Sequence, residues 1–236
     1  MKKKCPDLDR YVRQMAVHEI GKEGQLKLLE SSVLIIGCGA LGSMVAMQLA
    51  GAGIGRLGIA DYDTIEISNL QRQFFFQTKE AGKLKVDVLS QRISLLNPEI
   101  KIEGYNCLIK QKFAEEIFNN YDFIVDATDN PDSKKMTGET SLKVLKGCCI
   151  AGVSEFKGQV MTFLPKDPRF EEYFGNSSAD GFLPCSLNGV FGPAAAFAAS
   201  IQTSETIKYI AGMGELLSGK IFLFDLLKNS FQIFTL

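Results

Sequence analysis

Closely spaced small residues at one turn of the chain would let the backbone approach a phosphate group. Residues 37–42 read GCGALG and directly follow the apolar run Val33–Ile36. Glycines at such a turn bring backbone amides close to a phosphate, and a helix that begins there adds a favourable dipole. Asp61 ends the next apolar run about twenty residues later, where a carboxylate can bind the ribose of a nucleotide. The pattern predicts nucleotide binding, with a ligand-free helix–sheet contact as the alternative.

A second set of polar residues could bind the charges of a triphosphate. Residues 68–73 read SNLQRQ, and Lys85 comes shortly after them. An amide, a guanidinium and an ammonium group suit a triphosphate and a pentavalent phosphorus better than a nicotinamide ring. Asp129 and Asn130 follow a further apolar run, and a carboxylate at that edge of an α/β sheet could hold Mg²⁺ between phosphates. These residues favour ATP over a dinucleotide.

Alternating strand and helix patterns would position these groups. Apolar runs predict strands at 33–36, 56–60, 101–105, 123–127 and 148–153. Helical patterns lie between and after them, at 41–52, 83–96, 111–119, 132–145 and 190–211. Such alternation implies right-handed crossovers and a parallel sheet. A later strand at 158–164 follows no crossover helix, and the runs at 220–225 and 230–235 read as a hairpin, so we expect antiparallel strands in the C-terminal part. We therefore expect a Rossmann-like, doubly wound α/β fold with C-terminal antiparallel strands.

Length and composition limit the alternatives. The 236 residues suit one domain spanning 1–236, with a flexible loop at about 165–184 that is rich in turn-forming residues. A formal net charge of −1 provides no basic field for nucleic acid or an anionic membrane, so neither partner is expected. The chain has neither an apolar run long enough to span a bilayer nor a signal-peptide pattern, which predicts a cytoplasmic protein.

In combination, the motifs resemble those of the ThiF/MoeB/HesA adenylyltransferases, relatives of the ubiquitin-activating enzymes. The resemblance runs over nearly the whole chain and rests on RYVRQ at 10–14, GCGALG at 37–42, DYDTIEISNLQRQ at 61–73, GKLK at 82–85, DATDN at 126–130 and LPCSLNGVFGP at 183–193. It implies ATP-dependent adenylation of the C-terminal Gly-Gly carboxylate of a ubiquitin-fold sulfur-carrier protein, of the thiamine or molybdopterin type. Pyrophosphate would be released.

The resemblance also assigns roles to individual residues. It places the nucleotide phosphates against Gly37, Gly39, Ala40 and Gly42 and the ribose on Asp61. It gives Asn69, Arg72 and Lys85 to the triphosphate and Asp129 to Mg²⁺. The predicted nucleotide-binding set also includes Asp63, Ser68, Gln71, Gln73 and Asn130. Arg13 matches an arginine that reaches the γ-phosphate of the neighbouring subunit, which implies a homodimer with sites completed in trans.

Cysteine usage departs from the family pattern. Many relatives hold zinc with two Cys-x-x-Cys pairs, and none of the six cysteines here is spaced in that way. A structural zinc site normally needs four ligands, so no zinc is expected. Cys185 stands at the position of the family's conjugating cysteine, where a thiolate could take up the activated carrier. The alternative is an ordinary loop cysteine, because many members adenylate without this thiol.

Two other functions are consistent with part of this pattern. A NAD-dependent oxidoreductase would share the glycine turn and Asp61 but would leave the other charged residues unexplained. A non-catalytic scaffold could keep the nucleotide site only to bind a partner. Among the remaining residues, His18 falls in a predicted helical stretch, and the run Phe74–Phe76 is expected to pack in the core. Phe222, Phe231 and Phe234 of the final hairpin are candidates for an exposed apolar surface.

Overall fold

The computed structural model describes residues 8–165 and 189–235. Cys185 and nearly all of the predicted loop at 165–184 lie outside these ranges. Within them, eight strands form one sheet in the order β3-β2-β1-β4-β5-β6-β7-β8. Their bounds are β1 Ser32–Ile36, β2 Arg56–Ala60, β3 Lys101–Tyr105, β4 Phe123–Asp126, β5 Gly147–Ser154, β6 Lys157–Phe163, β7 Lys220–Asp225 and β8 Ser230–Thr235.

The sheet combines a parallel and an antiparallel part. Strands β1 to β5 pair in parallel, with Ile36 of β1 opposite Ala60 of β2 and Asp126 of β4. Strands β6, β7 and β8 add to the β5 edge in antiparallel pairs. β1 and β4 are buried along their whole length, as expected for parallel strands covered on both faces. The predicted fold class is thereby confirmed.

Helices cover both faces of this sheet. They are α1 Val12–Met15, α2 Gly21–Glu30, α3 Ala40–Ala52, α4 Lys85–Leu96, α5 Gln111–Phe118, α6 Pro131–Lys143 and α7 Gly192–Ala211. One apolar core joins the sheet to α3, α4 and α7, and a smaller core joins the opposite face to α5 and α6. No helix in the described ranges has the length and apolar character needed to cross a membrane.

Local sequence explains where the helices that matter for the site begin and end. α3 begins at Ala40, directly after Gly39, and is followed by Gly53, whose φ of +88° favours glycine. α6 begins with Pro131 after Asn130, whose side chain accepts a hydrogen bond from the Ser133 amide at 2.8 Å. Both helices therefore start at the carboxyl end of a parallel strand, where the sequence placed its polar residues.

Three expectations for individual side chains are corrected. His18 is exposed in a turn between α1 and α2, since α1 ends at Met15 and α2 begins only at Gly21. Phe74 is 52% exposed, and only Phe76 of the aromatic run is buried in the core. Phe222 is partly buried and packs against the core, whereas Phe231 and Phe234 are exposed.

Candidate active site

A cavity of about 560 Å³ opens at the carboxyl ends of β1, β2 and β4. The strand order reverses there, because β2 lies on one side of β1 and β4 on the other. Ligands of open α/β sheets bind at such a switch point. This first cavity is lined by most of the residues that the sequence predicted, namely Gly37, Gly39, Ala40, Asp61, Asp63, Ser68, Asn69, Arg72, Gln73, Lys85, Asp129 and Asn130.

The glycine turn is shaped by close backbone contacts. Gly37 has a φ of +93°, and a Cβ there would lie 2.8 Å from the carbonyl oxygen of Ala127. Gly42 does not line the cavity, and a Cβ on it would lie 1.7 Å from the Gly37 carbonyl oxygen. Gly42 therefore lets α3 pack directly under the turn, while Gly37 and Gly39 present backbone to the cavity.

Asp61 connects the turn to the end of β2. Its Oδ2 accepts a hydrogen bond from the Cys38 amide at 2.6 Å, and its Oδ1 accepts one from the Asp63 amide at 2.9 Å. Each carboxylate oxygen retains a further lone pair for a ligand hydroxyl. Cys38 itself is buried, and burial together with the Asp61 charge raises the pKa of its thiol. Cys38 is therefore a packed side chain and not a nucleophile.

Two cations reach the first cavity in different settings. Lys85 is buried at the start of α4, and its ammonium lies 2.9 Å from Oδ2 of the half-exposed Asp63. Arg72 is partly exposed and donates from Nη1 to the Ser68 carbonyl oxygen at 3.1 Å. That contact uses one of the five guanidinium donors, so the others remain available to an anionic ligand.

The segment before Arg72 is held by its own polar side chains. The side-chain oxygen Oδ1 of Asn69 accepts a hydrogen bond from the Glu66 backbone amide at 3.3 Å and closes a capping box. Gln73 is 4% exposed, and its Oε1 has no hydrogen-bond partner among the described residues. A buried amide oxygen without a partner is costly unless a ligand or water supplies a donor. Gln71 points elsewhere, donating to the Val190 carbonyl oxygen at 3.4 Å, and does not line the cavity.

Asp129 is the exposed carboxylate at the cavity's other wall, next to the helix-capping Asn130. The described residues contain no cluster of three or more histidine, cysteine, aspartate or glutamate side chains that could enclose a metal ion. Mg²⁺ is commonly held by one or two carboxylates together with substrate phosphates and water. Asp129 therefore fits a metal brought in with the nucleotide better than a closed protein site.

The cavity also has lining residues that the sequence did not predict. Tyr62, Leu108 and Met136 border it, and Tyr62 and Leu108 are about half exposed. Tyr62 lies in the loop after β2, Leu108 lies in the loop after β3, and Met136 lies on α6. Aromatic and aliphatic side chains can cover the flat face of a base. The ends of β2 and β3 were a usable signal, because loops after parallel strands surround the switch point.

A second cavity of about 400 Å³ adjoins the first and shares Thr128, Asp129 and Val153 with it. Its remaining walls come from the start of α6, which contributes Lys134, and from β5 to β8, which contribute Lys157, Phe224 and Gln232 among others. The second cavity therefore leads from the antiparallel part of the sheet to Asp129. An extended chain that entered along it would bring its end next to the first cavity.

Arg13 is not among the residues that line either cavity of its own chain. It is exposed on α1, which is fixed to the far end of α3. The Gln14 side chain donates to the Ala52 carbonyl oxygen at 2.9 Å, and the Tyr11 ring lies against Gly53. α3 has 13 residues, so its two ends are about 20 Å apart. Arg13 therefore lies at the end of α3 opposite the glycine turn.

A doubly wound sheet with a glycine turn, a carboxylate after β2 and two cations at its switch point defines a Rossmann-type nucleotide-binding protein. The chain belongs to the ThiF family, whose sequence model matches residues 11–236. It is similar to the sulfur carrier protein adenylyltransferase of Thermus thermophilus, with 34% identity over 97% of this chain and 87% of that protein. Membership in this family implies that the nucleotide is ATP.

Other relatives are longer than this chain. The adenylyltransferase and sulfurtransferase MOCS3 of Dictyostelium discoideum is 37% identical over 93% of this chain, which spans only 52% of that protein. The crystal structure of E. coli MccB with ATP is similar in fold, with a TM-score of 0.82, 23% identity and coverage of 97% of this chain and 72% of that one. This likeness agrees with the fold described above.

Proposed function

We propose that this protein uses ATP to adenylate the C-terminal Gly-Gly carboxylate of a ubiquitin-fold sulfur-carrier protein, of the thiamine or molybdopterin type. The relatives named as sulfur carrier or molybdopterin-synthase adenylyltransferases support this activity. The observation that carries it is the junction of the two cavities at Asp129. ATP would occupy the first cavity, and the carrier's extended tail would enter through the second. The need for ATP agrees with the predicted cytoplasmic location.

The reaction needs positioning and charge neutralisation more than proton transfer. A carboxylate is ionised at neutral pH, so it can attack the α-phosphorus without a general base. The backbone of Gly37 and Gly39 would hold the phosphates, and Arg72 and Lys85 would stabilise the charge on the departing pyrophosphate. Asp129 would hold Mg²⁺, which would supply positive charge to neutralise part of that negative charge. Asp61 would fix the ribose and thereby the direction of attack.

The position of Arg13 supports a homodimer with sites completed in trans. Arg13 lies on α1, which is hydrogen-bonded through Gln14 to the C-terminal end of α3. That end is about 20 Å from the glycine turn that would bind the phosphates. A guanidinium presented there serves a phosphate only if another copy of the chain supplies it. The eight-stranded sheet, which both cavities share, supports the expectation that residues 1–236 act as a single domain.

Cys185 would act after adenylation. Its thiolate would attack the carbonyl carbon of the acyl-adenylate, the bond from that carbon to the AMP oxygen would break, and AMP would leave as a thioester forms. This step is separate from the first one. Loss of the thiol should therefore leave adenylation intact.

The test is ATP–pyrophosphate exchange in the presence of Mg²⁺ and candidate Gly-Gly carriers. Exchange should depend on the carrier, disappear in Asp129→Ala and Arg72→Ala, and persist in Cys185→Ala. ATP binding without exchange for any carrier would favour the scaffold instead. A protein that binds NAD but no ATP would contradict the proposal.

A further inference from the structure

Lys134 on α6 is almost completely buried, which is rare for a lysine unless it is paired. Its ammonium lies 3.2 Å from Oδ1 of Asp126, a residue with no exposed surface at the end of β4. It also donates to the carbonyl oxygens of Thr128 and Ala151, each at 2.6 Å. Three protons and three acceptors leave no donor for a ligand, so Lys134 acts within the protein.

The three acceptors of Lys134 lie before, within and beside the 127–130 loop, which carries Asp129. Asp126 precedes this loop, Thr128 is part of it, and Ala151 belongs to the neighbouring β5. Asp126 Oδ1 accepts further bonds from the Thr128 amide at 3.0 Å and hydroxyl at 2.7 Å. One buried cation therefore joins β4, β5 and the loop between β4 and α6.

This network lies where the two cavities meet. Thr128 and Asp129 line both cavities, and Lys134 lines the second one. The Asp129 side chain itself is exposed, so its position depends on the backbone that carries it. A metal-binding carboxylate is normally held by outer contacts of this kind, and their loss commonly weakens metal affinity.

We propose that Lys134 is a positioning residue, which fixes the 127–130 loop through Asp126, Thr128 and Ala151 and thereby holds Asp129 where it can bind Mg²⁺ on the ATP phosphates. The inference rests on the metal role of Asp129 given under the proposed function. It adds a residue that touches neither metal nor nucleotide. Replacing Lys134 should therefore reduce the increase in ATP affinity that Mg²⁺ causes.

The test is the ATP affinity of the purified protein, measured by calorimetry with Mg²⁺ and again with a chelator. In Lys134→Met, the gain in ATP affinity from Mg²⁺ should fall by about 10-fold or more, while metal-free ATP binding changes little. Thr128→Val removes only the hydrogen bond from the Thr128 hydroxyl to Asp126. It should also reduce the gain in ATP affinity from Mg²⁺, but by less than Lys134→Met does. A folded Lys134→Met protein with the full magnesium gain would overturn the proposal.

Glu205→Gln is the matched control for loss of a buried charge. Glu205 is 1% exposed, pairs with Lys208 and accepts from the Thr162 hydroxyl at 2.7 Å, and it lines neither cavity. Its variant should keep the magnesium gain, and losing that gain would contradict a local role for Lys134.

Folding and function can be separated by one further variant. If Lys134→Met does not fold, the double variant Asp126→Asn/Lys134→Met removes both buried charges and takes its place. A folded double variant that keeps the full gain in ATP affinity from Mg²⁺ would overturn the proposal. Wild-type protein that binds ATP without any magnesium gain would overturn the metal role of Asp129 and this inference with it. Wild-type protein with a magnesium gain but no carrier-dependent exchange would contradict the proposed function and leave the Lys134 comparison decisive.

Discussion

The ammonium of Lys85 lies 2.9 Å from the carboxylate of Asp63 and joins the start of α4 to the loop after β2. The two partners differ in exposure, with the Lys85 side chain 6% exposed and that of Asp63 49% exposed. An ion pair with one exposed partner can exchange that partner for another anion. A phosphate entering the first cavity can therefore take the place of Asp63 without leaving a buried charge unpaired.

We expect Lys85→Gln to weaken ATP binding by about 10- to 100-fold. The glutamine keeps a polar group of similar length but loses a charge-assisted hydrogen bond worth about 1.5–3 kcal/mol. Calorimetry with ATP checks this. Lys83→Gln is the control, because Lys83 is exposed on the same segment and does not line either cavity. Equal effects of the two variants would indicate a general charge effect.

Two glycines of α3 should respond in opposite ways to alanine. Gly42→Ala would place a Cβ 1.7 Å from the Gly37 carbonyl oxygen, so we expect the free energy of unfolding to fall by about 2–3 kcal/mol and ATP binding to be lost. Gly51 is exposed with open space around it, so Gly51→Ala should raise the free energy by about 0.5–1 kcal/mol. Urea unfolding measures both, and a stable Gly42→Ala protein would refute the tight contact.

Complementation between inactive variants tests whether Arg13 acts in trans. Arg13→Ala and Asp129→Ala should each abolish exchange as pure proteins. After unfolding and refolding together at equal amounts, random dimers would restore about a quarter of the wild-type activity, since half are mixed and each mixed dimer has one intact site. If the mixture stays inactive while wild-type protein recovers, Arg13 does not serve a neighbouring site.

A cluster on β3 should make stability depend on acid pH. The ion pair with Lys101, and hydrogen bonds from Tyr121 and Tyr105, lower the pKa of Glu103 to about 2 from an ordinary value of 4.5. Because the folded-state pKa is lowered, this contribution is fully present above about pH 4.5 and is lost as the pH falls towards 2.

Melting temperatures of wild type and Glu103→Gln provide the check. Their difference should be largest near neutral pH and should shrink as the pH falls below about 4.5. Glu99→Gln, at an exposed position in the turn before β3, controls for the loss of one negative charge. A difference that stays constant down to pH 3 would argue against a lowered pKa.

The strands and the first cavity were predictable because their signals are local. β3, β7 and β8 have the predicted bounds, since each is an apolar or alternating run between turn-forming residues. The glycine turn, Asp61, Lys85 and Asp129 come together because parallel strands bring their carboxyl ends to the same edge. Spacing along the chain was sufficient to group them.

The missed features depend on contacts between segments distant in sequence. Asp126 stood in a recognised motif, yet its burial against Lys134 depends on how α6 crosses β4 and β5. A lysine reads as exposed by default, so composition gave no signal for this pair. The position of Phe74 likewise depended on which side of the loop faced the core. The sequence therefore predicts the residues that line the first cavity better than the residues that hold them in place.

α7 packs against α2, α3, β4, β5 and β6, although it begins only at Gly192. A ribosome delivers the chain from the N-terminus, so one apolar face of the parallel strands stays uncovered until this helix has emerged. Val190, just before α7, also lines the first cavity. A nascent chain can therefore neither bury its sheet nor complete its nucleotide site early. Folding of the sheet should accordingly be completed only after α7 has emerged from the ribosome.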